Sequence, residues 1–325
     1  MNRFRDSIFD VTSQSFESFA LEIFRFQYHQ NVIYKSYIDA LKVSADKIIS
    51  LQQIPFLPIS FFKTHSIKTT TFDASVIFES SGTTQTVNSK HHVKDYGIYQ
   101  ESFIKGFEKF YGPITDYCIV GLLPSYLERK NSSLIAMVDE MIRISNHSLS
   151  AFYLYDHKKL NDVLKQLEKQ GQKTLLIGVT FALLDFAEHF PQQLNNTIVM
   201  ETGGMKGKRK ELTRAETHSI LKNRLGIPVI HSEYGMTELL SQAYSKGEGR
   251  FRSVPWMKMM VRNEDDPMDV RKNGSGIINV VDLANIYSCS FIATDDVGNI
   301  YENEEFEIIG RVDNSDIRGC SLLVI

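Results

Sequence analysis

The sequence predicts an α/β fold with a largely parallel sheet, followed near the C-terminus by a smaller antiparallel region. From residue 75 onward, short apolar runs alternate with longer amphipathic runs, as strands and helices do when they follow one another. Helices that cross over a sheet leave successive strands parallel, so this alternation favours a layered α/β domain. The strand-like runs are "SVIFES", "DYCIVGLLP", "LSAFYLY", "KTLLIGVT", "NTIVMETGG" and "IPVIHSEYG". The helix-like runs are "YGIYQESFIKGFEKFYG", "SLIAMVDEMIRIS", "HKKLNDVLKQLEKQG" and "RAETHSILKNRLG", the last two ending at glycine as helices often do.

The two ends of the chain differ from this central pattern. Apolar residues recur at helical spacing in "SFESFALEIFRFQYHQN" and "YIDALKVSADKIISLQQ", which predicts helix to about residue 52. Pro55 and Pro58 then exclude a helix interior. Toward the C-terminus the strand-rich runs "SGIINVVDLAN", "CSFIATDDVGNIY" and "EFEIIGRVDN" are joined by turns, which predicts the antiparallel region.

Composition excludes several classes of protein. The chain has 325 residues, of which 42% are hydrophobic and 23% charged, as in ordinary globular proteins. The net charge of -3 gives no reason to expect nucleic acid or an anionic membrane as a partner. The longest apolar stretch is too short to span a bilayer and is broken by Asp185, and the N-terminus lacks the apolar core of a secretory signal. The 3 cysteines form no C-x-x-C spacing, so a reducing cytoplasm is the predicted location.

Several polar loops follow predicted strands, where open α/β folds place their ligand sites. After "SVIF" comes a small hydroxyl-rich loop made of Ser80, Ser81, Gly82, Thr83 and Thr84. The loop does not match the Walker A pattern. Gly82 permits a positive φ, so that backbone N–H groups can turn inward as an anion nest surrounded by hydroxyl donors. Composition alone leaves a phosphate-binding loop and a solvated turn equally open.

The second polar signal is "HSEYGMTE", which follows the apolar run "IPVI". Glu238 can serve there as a carboxylate ligand for Mg²⁺ held chiefly by phosphate oxygens. Tyr234 can stack on a base or cover a ligand. The alternative is a buried tyrosine beside a Thr-Glu pair that starts a helix.

The third signal is "ATDDVGNI", which places Asp295 and Asp296 in a predicted tight turn before Gly298. A carboxylate at such a turn can accept both hydroxyls of a ribose, although aspartate in turns is also common for local reasons. Further on, Arg311 follows a strand. Cys320 follows an arginine and a glycine, which favours a thiolate, with a buried structural cysteine as the alternative.

Two other cysteines and one other motif have simpler interpretations. Cys118 and Cys289 lie inside apolar strands and are predicted to be buried. The stretch "HHVKDYG", from His91 to Gly97, nearly matches the His-His-x-x-x-Asp-Gly general-base motif of acyltransferases. It is one residue short, which moves Asp95 out of register, so we predict a surface segment.

Taken in order, these stretches resemble the motifs of adenylate-forming enzymes. "SSGTT" is similar to their phosphate-binding loop, "YGMTE" to their Tyr-Gly-x-Thr-Glu motif, and "ETGG" to the loop that lines the adenine pocket. "TDDVG" resembles their Thr-Gly-Asp-x-Gly motif, with Asp296 at the ribose-binding aspartate, and "GRVD" resembles the hinge, with Arg311 at the ribose- or phosphate-contacting arginine. The resemblance implies ATP and Mg²⁺ as cofactors, Glu238 as the catalytic and metal-binding carboxylate, and a nucleotide site that also includes Gly203, Gly204, Tyr234, Gly235 and Thr237.

"IPFLPISFFKTH" and "DIRGCSLLV" resemble the acyl-protein synthetase (LuxE-like) family, which activates fatty acid in the luminescence fatty-acid reductase complex. That resemblance implies a carboxylic acid substrate, Cys320 as the acyl-accepting cysteine, and a reductase or biosynthetic protein as acyl acceptor. It also implies an adenylate-forming domain over residues 1–310, with a helical N-terminal segment over residues 1–65. Residues 311–325 would then be a truncated hinge and tail, without the mobile C-terminal domain of complete ligases.

The sequence departs from the superfamily pattern at two places. Gln85 replaces a second glycine of the phosphate loop. The resemblance also implies that the catalytic lysine of the C-terminal domain has no counterpart here. The candidates to replace it form the basic run Lys206, Lys208, Arg209 and Lys210, with a solvated loop as the equally open alternative. Two other functions therefore stay open: an acyl- or aryl-CoA ligase related to phenylacetate-CoA ligase, and a non-catalytic module that binds nucleotide or acyl chains.

Overall fold

The computed structural model describes residues 2–80, 87–123, 131–154, 156–203 and 212–312. Contacts divide the chain into two compact units. The first unit contains Met1–Ser102, Met236–Gln242 and Arg252–Ile325. The second unit contains Phe103–Gly235 and Ala243–Phe251.

Helices and strands alternate along much of the chain, which confirms the predicted α/β class. The helices are α1 Asn2–Ser7, α2 Phe16–Gln30, α3 Val32–Ala40, α4 Phe61–Thr64, α5 Tyr96–Tyr111, α6 Ser133–Ser145, α7 His157–Gln170, α8 Thr180–His189 and α9 Arg214–Leu225. The strands are β1 Leu57–Pro58, β2 Val76–Glu79, β3 Lys90–Val93, β4 Cys118–Leu122, β5 Ala151–Phe152, β6 Thr174–Val179, β7 Thr197–Thr202, β8 His231–Tyr234, β9 Ala243–Ser245, β10 Phe251–Ser253, β11 Met257–Arg262, β12 Val270–Arg271, β13 Gly274–Asp282, β14 Phe291–Ile300 and β15 Phe306–Arg311.

The second unit contains the parallel part of the structure. Its strands lie in the order β9-β8-β7-β6-β4-β5, and the pairs from β8 to β5 are parallel, whereas β9 is antiparallel to β8. Every residue of β4 and β6 is buried, which explains their continuous apolar runs. Helices α7 and α9 end at the left-handed Gly171 and Gly226, as the sequence predicts. The carboxyl ends of β7 and β8 meet at one edge of the sheet, because Thr202 pairs with Glu233.

The first unit contains the predicted antiparallel region, with strands in the order β12-β11-β13-β14-β15. The prediction of a tight turn at Asp295 and Asp296 is wrong. Both residues lie inside β14, because β13 and β15 supply hydrogen-bond partners along both edges of that strand. The chain reverses further along, where Tyr301 N donates to Glu305 O at 2.8 Å.

The N-terminal helical prediction holds only in part. Helix α3 ends at Ala40, and Lys42 adopts a left-handed φ of 57°, so regular helix stops well before residue 52. Short 3₁₀ turns follow at Ala45–Lys47 and Leu51–Gln53. As the prolines predict, no helix continues there: Leu57–Pro58 forms β1, parallel to β14.

Helix α2 fixes a loop that matters for the site. The buried amide of Gln27 donates to the carbonyl oxygens of Asn285 and Ile286 at 3.0 Å. Just beyond the helix, Asn31 donates to the carbonyl of Ser288 at 2.8 Å. Buried amides that are fully hydrogen-bonded hold a loop in one conformation, so the loop between β13 and β14 has a defined shape.

Among the residues that the structure describes, no helix has the length and apolar character needed to cross a membrane.

Candidate active site

The β2–β3 hairpin closes the base of the hydroxyl-rich loop. Its strands are antiparallel and pair Glu79 with Lys90. Ser80 N donates to Ser89 O at 3.1 Å, and Ser89 N donates to the Ser80 hydroxyl oxygen at 2.9 Å. Ser80 is therefore fixed at the start of the loop. The other predicted loop residues lie outside the described residues, namely Ser81, Gly82, Thr83 and Thr84, together with Gln85.

Glu238 lies in an irregular segment, Met236–Gln242, and not at the start of a helix. Its carboxylate is only 6% exposed. The hydroxyl of Ser89 donates a hydrogen bond to it, and the positive charges of Arg311 and Lys63 are close enough to act on it. Burial raises the pKa of Glu238, and the Ser89 hydrogen bond and the two cations partly oppose that rise. The carboxylate thus lies beside hydroxyl and cationic groups that suit an anionic ligand.

Three buried side chains hold this irregular segment. His91 Nδ1 donates to the carbonyl of Thr237 at 2.8 Å, and Asn285 Nδ2 donates to the carbonyl of Glu238 at 2.8 Å. Asp282 accepts hydrogen bonds from Leu240 N at 2.8 Å and from the Ser241 hydroxyl at 2.6 Å. Burial raises the pKa of Asp282 to about 6, while these hydrogen bonds lower it. The backbone on both sides of the Glu238 side chain is therefore anchored.

The prediction that "HHVKDYG" is a surface segment is wrong for its first histidine. His91 is 1% exposed, because alternate residues of β3 point into the protein. Its Nε2 accepts a hydrogen bond from the hydroxyl of Ser288 at 2.9 Å, since Nδ1 must donate to a carbonyl. Burial lowers the pKa of His91 to about 4, so the ring is neutral at physiological pH. Ser89, His91 and Val93 are buried in alternation, a pattern that the mostly polar residues of this stretch did not signal.

Asp296 and Arg311 face each other across β14 and β15. Arg311 Nε donates to Asp296 Oδ1 at 2.7 Å, and Arg311 also acts electrostatically on Glu238. The structure therefore brings these three predicted site residues together. Gly298, two residues along β14, is required by packing, because a Cβ there would lie 2.3 Å from the carbonyl oxygen of Glu307.

The second unit positions the remaining predicted residues that the structure describes. Gly203 follows β7 with a φ of 70°, a conformation that favours glycine. Tyr234 ends β8 and packs edge-on against Phe251 at a centroid distance of 6.0 Å, and the exposed Gly235 follows it. Gly204 and the basic run of Lys206, Lys208, Arg209 and Lys210 lie outside the described residues.

Sequence reasoning missed a buried network around Glu201, the first residue of "ETGG". Glu201 Oε1 accepts hydrogen bonds from His218 Nε2 at 2.8 Å and from the Ser232 hydroxyl at 3.1 Å. Thr180 lies 3.3 Å from Glu201 Oε2, and its hydroxyl also donates to the carbonyl of Gly203 at 2.9 Å. The network thus fixes the backbone that leads into the glycine loop. A glutamate inside the apolar run "TIVME" was its only signal.

The next strand contains a second buried glutamate. Glu233 accepts a hydrogen bond from the hydroxyl of Thr202, and burial raises the pKa of Glu233 to about 7. Its carboxyl group therefore titrates near neutral pH immediately before Tyr234.

The described cysteines are free and buried, as predicted, but only Cys118 lies inside a strand, because Cys289 lies in the loop before β14. Burial raises the pKa of the Cys289 thiol to about 12 and also raises that of Cys118. Both thiols are therefore protonated at physiological pH and poor nucleophiles. Cys320 lies outside the described residues.

The donor set around Glu238 fits Mg²⁺ bound together with phosphate. Within the described ranges, no group of three or more His, Cys, Asp or Glu side chains could hold a metal ion. A single carboxylate is nevertheless what Mg²⁺ needs when substrate phosphates and water complete its coordination. Zn²⁺ in a structural site would need more protein ligands.

Comparison with known proteins identifies the family. The family model described as acyl-protein synthetase, LuxE, matches residues 6–325. The long-chain-fatty-acid–luciferin-component ligase of Aliivibrio fischeri is 21% identical over 327 residues, which cover 93% of this chain and 85% of that protein.

Two solved structures share the fold. A 2-hydroxyisobutyryl-CoA ligase in a postadenylation state superimposes with a TM-score of 0.64 at 11% identity, over 97% of this chain and 72% of that one. ATP-bound MatB from Rhodopseudomonas palustris superimposes with a TM-score of 0.57 at 15% identity, over 75% of this chain and only 49% of MatB. The chain therefore matches about half the length of MatB. Since the family model spans nearly the whole chain, the protein belongs to the LuxE family of acyl-protein synthetases.

Proposed function

We propose that this protein activates a carboxylic acid, in the first place a fatty acid, with ATP, and that Cys320 then carries the acyl group as a thioester. Membership of the acyl-protein synthetase family supports the overall reaction. The name of the Aliivibrio fischeri relative supports a long-chain fatty acid as the substrate class. The structural observation that carries the proposal is the grouping of Glu238, Arg311 and Asp296 together with Ser89, which is hydrogen-bonded to Ser80 at the start of the hydroxyl-rich loop.

The chemical difficulty is charge, because a carboxylate must approach the anionic phosphates of ATP. Arg311 and Lys63 place positive charge near Glu238. The resemblance to the phosphate-binding loop assigns the hydroxyl and N–H groups of residues Ser80 to Thr84 as neutral donors to the phosphates, and such donors would stabilise developing charge. When bound at Glu238, Mg²⁺ would neutralise part of the phosphate charge. Asp296 would accept hydrogen bonds from the ribose. The sequence resemblance assigns Tyr234, Gly203 and Gly204 to the base.

Two transfers complete the reaction. A substrate carboxylate oxygen attacks the α-phosphorus of ATP, the bond to the β-phosphate breaks, and pyrophosphate leaves with that electron pair. The Cys320 thiolate then attacks the acyl carbon, the bond to the AMP oxygen breaks, and AMP leaves. The mixed anhydride provides the driving force for thioester formation. The acyl group would then pass to a partner protein, a reductase or a biosynthetic acceptor.

Acid-dependent exchange of pyrophosphate into ATP tests the first transfer. A panel of acids of varying chain length and aromatic character should include at least one that supports exchange. Glu238→Gln should reduce exchange about 100-fold, the size expected when one preorganised charge contact is lost. Asp73→Asn, which changes an exposed carboxylate in the first unit, is the matched control. No exchange with any acid would refute the proposal, and nucleotide binding without exchange would favour a non-catalytic module.

The acyl acceptor distinguishes the proposal from a CoA ligase. With ATP and the preferred acid but no coenzyme A, the mass of the intact protein should rise by one acyl group. If acyl transfer occurs only to added coenzyme A, the phenylacetate-CoA-ligase-like alternative is correct.

The cytoplasm is the proposed location. The 3 cysteines of the sequence form no C-x-x-C spacing, which fits a reducing compartment. The matching family is one of acyl-protein synthetases, so a protein partner fits better than a membrane-bound acceptor.

A further inference from the structure

Ser89, the residue just before β3, and His91, inside β3, contact the segment that carries Glu238. Ser89 and His91 are two positions apart, so their side chains point to the same face of the strand region. Both are buried, at 3% and 1% exposure. Ser89 donates its hydroxyl hydrogen to the Glu238 carboxylate, and His91 donates to the carbonyl of the preceding residue, Thr237. β3 and the residue just before it therefore hold both the side chain and the backbone at this position.

The same strand closes the hydroxyl-rich loop. Ser89 exchanges two hydrogen bonds with Ser80, one through the carbonyl of Ser89 and one through its backbone N–H. The hydroxyl of Ser89 remains available for Glu238 and is used there. Ser89 thus joins the end of the loop directly to the carboxylate.

His91 is itself held in one orientation from its far side. The hydroxyl of Ser288 donates to Nε2 at 2.9 Å, and the carbonyl of Ser288 accepts hydrogen bonds from Asn31 at 2.8 Å and Thr69 at 2.6 Å. Phe62 packs edge-on against the imidazole at 5.7 Å. With both nitrogens engaged inside the protein, the ring is placed to orient Thr237 and not to exchange protons with a substrate.

We propose that Ser89 and His91 are positioning residues that hold Glu238 at a fixed place relative to Ser80, so that its carboxylate is oriented to bind Mg²⁺. The inference rests on the proposed function, because it assigns the metal to Glu238. Removing either contact would free the carboxylate to turn away from this position. The consequence should be weaker metal binding, since partners that orient a ligand typically contribute 10- to 100-fold to metal affinity.

Two substitutions at His91 separate positioning from simple packing. Asparagine can place its amide nitrogen near the position of Nδ1 and so keep the bond to Thr237, whereas glutamine reaches the position of Nε2 and keeps only the bond to Ser288. His91→Gln and Ser89→Ala should each raise the Mg²⁺ concentration for half-maximal exchange about 10-fold or more. His91→Asn should stay within about 3-fold of the unmodified protein, because it retains the contact that orients Thr237.

His92→Gln is the matched control. His92 neighbours His91 on β3 but points to the other face, is only partly buried, and has no hydrogen-bond partner at Nδ1 among the residues that the structure describes. Its Mg²⁺ requirement should equal that of the unmodified protein.

A binding measurement without turnover makes the test independent of catalysis. Thermal unfolding is followed with ATP alone and with ATP plus Mg²⁺, because a ligand that binds the folded state raises the melting temperature. Ser89→Ala and His91→Gln should lose the extra stabilisation that Mg²⁺ adds, yet keep the stabilisation by ATP alone. Ser89→Ala removes a single oxygen atom and keeps the test decisive if His91→Gln does not fold.

The outcomes separate this inference from the proposed function. If the unmodified protein shows no acid-dependent exchange, the proposed function fails. If it does show exchange, and Ser89→Ala and His91→Gln keep its Mg²⁺ requirement, the positioning role is overturned. Equal losses in His91→Asn and His91→Gln would also overturn it, because they would indicate packing alone.

Discussion

The guanidinium of Arg311 binds the carboxylate of Asp296 from its solvent side, with 2.7 Å between Arg311 Nε and Asp296 Oδ1. The two side chains differ sharply in environment, at 69% exposure for Arg311 and 5% for Asp296. A buried carboxylate held by an exposed arginine is well placed to meet a polar ligand arriving from solvent. The family resemblance assigns Asp296 to ribose and Arg311 to ribose or phosphate. Because the two side chains are in contact, substitutions at this pair test both assignments.

Asp296→Ala should weaken ATP binding. Hydrogen bonds to a charged group contribute about 1.5–3 kcal/mol, so the KM for ATP in the exchange reaction should rise about 10-fold or more. The control is Arg252→Ala, which breaks the exposed Arg252–Glu305 pair at 2.8 Å in the same unit. An unchanged KM in Asp296→Ala would show that the ribose contacts another residue.

Cys320→Ala should abolish the hydroxylamine-sensitive acyl adduct detected by intact-protein mass. Cys118→Ala and Cys289→Ala should keep it, because burial raises the pKa of both thiols and leaves them protonated. In the folded protein, a thiol reagent at neutral pH should therefore modify Cys320 first. An acyl adduct that persists in Cys320→Ala would assign the carrier to another residue.

Glu233→Gln should change how stability depends on pH. Because the pKa of Glu233 is raised to about 7 in the folded protein, folded Glu233 keeps a proton that the unfolded chain releases at lower pH. Its contribution to stability is therefore present at acidic pH and is lost as the pH rises toward 7. Glutamine cannot ionise, so the variant should gain up to about 3 kcal/mol over the unmodified protein between about pH 5 and about pH 8.

Urea unfolding at the two pH values measures this difference. Glu302→Gln serves as the control, because Glu302 is exposed in the turn before β15. The difference in free energy of unfolding between Glu302→Gln and the unmodified protein should be the same at both pH values. A difference for Glu233→Gln that does not change with pH would show that Glu233 is ionised throughout.

Glu201→Ala should lower the free energy of unfolding by about 3 kcal/mol, because it leaves buried His218, Ser232 and Thr180 without a shared acceptor. Urea unfolding measures the loss, and Asp39→Asn, at an exposed Lys35–Asp39 pair, should leave stability nearly unchanged. Since Thr180 also holds the carbonyl of Gly203, the KM for ATP should rise in Glu201→Ala. An unchanged free energy of unfolding in Glu201→Ala would show that the hydrogen bonds to Glu201 do not stabilise the fold.

Local patterns predicted much of the fold. Apolar runs located β4, β6 and β7, and glycine ends located α7 and α9, because those signals depend on neighbouring residues. Helix α8 was missed because its first five residues, 180–184, are all buried and continue the apolar run of β6, so that the sequence shows no amphipathic period there. Strand β3 was missed because "KHHV" consists mostly of polar residues, of which only alternate ones are buried.

The site could be predicted only as a set of separate loops. The contacts that hold Glu238 join residues far apart in sequence, such as His91 and Thr237, separated by 146 positions. Gln27 reaches Asn285 across 258 positions. No local sequence pattern encodes contacts between such distant residues. His91 was therefore predicted to lie on the surface, and no feature of the sequence indicated that Asp282 anchors the segment that carries Glu238.

The two hydrogen bonds between Ser80 and Ser89 allow the segment that contains the hydroxyl-rich loop to be replaced as a unit. These two bonds use backbone groups and the Ser80 hydroxyl, so they do not depend on which residues lie between Ser80 and Ser89. Segments of equal length could therefore be exchanged between Ser80 and Ser89 while the hairpin keeps its register. Replacing this loop with one that has glycine in place of Gln85 would change nucleotide preference and leave the hydrogen bond from Ser89 to Glu238 in place. This short stretch is therefore the most accessible one for engineering the enzyme.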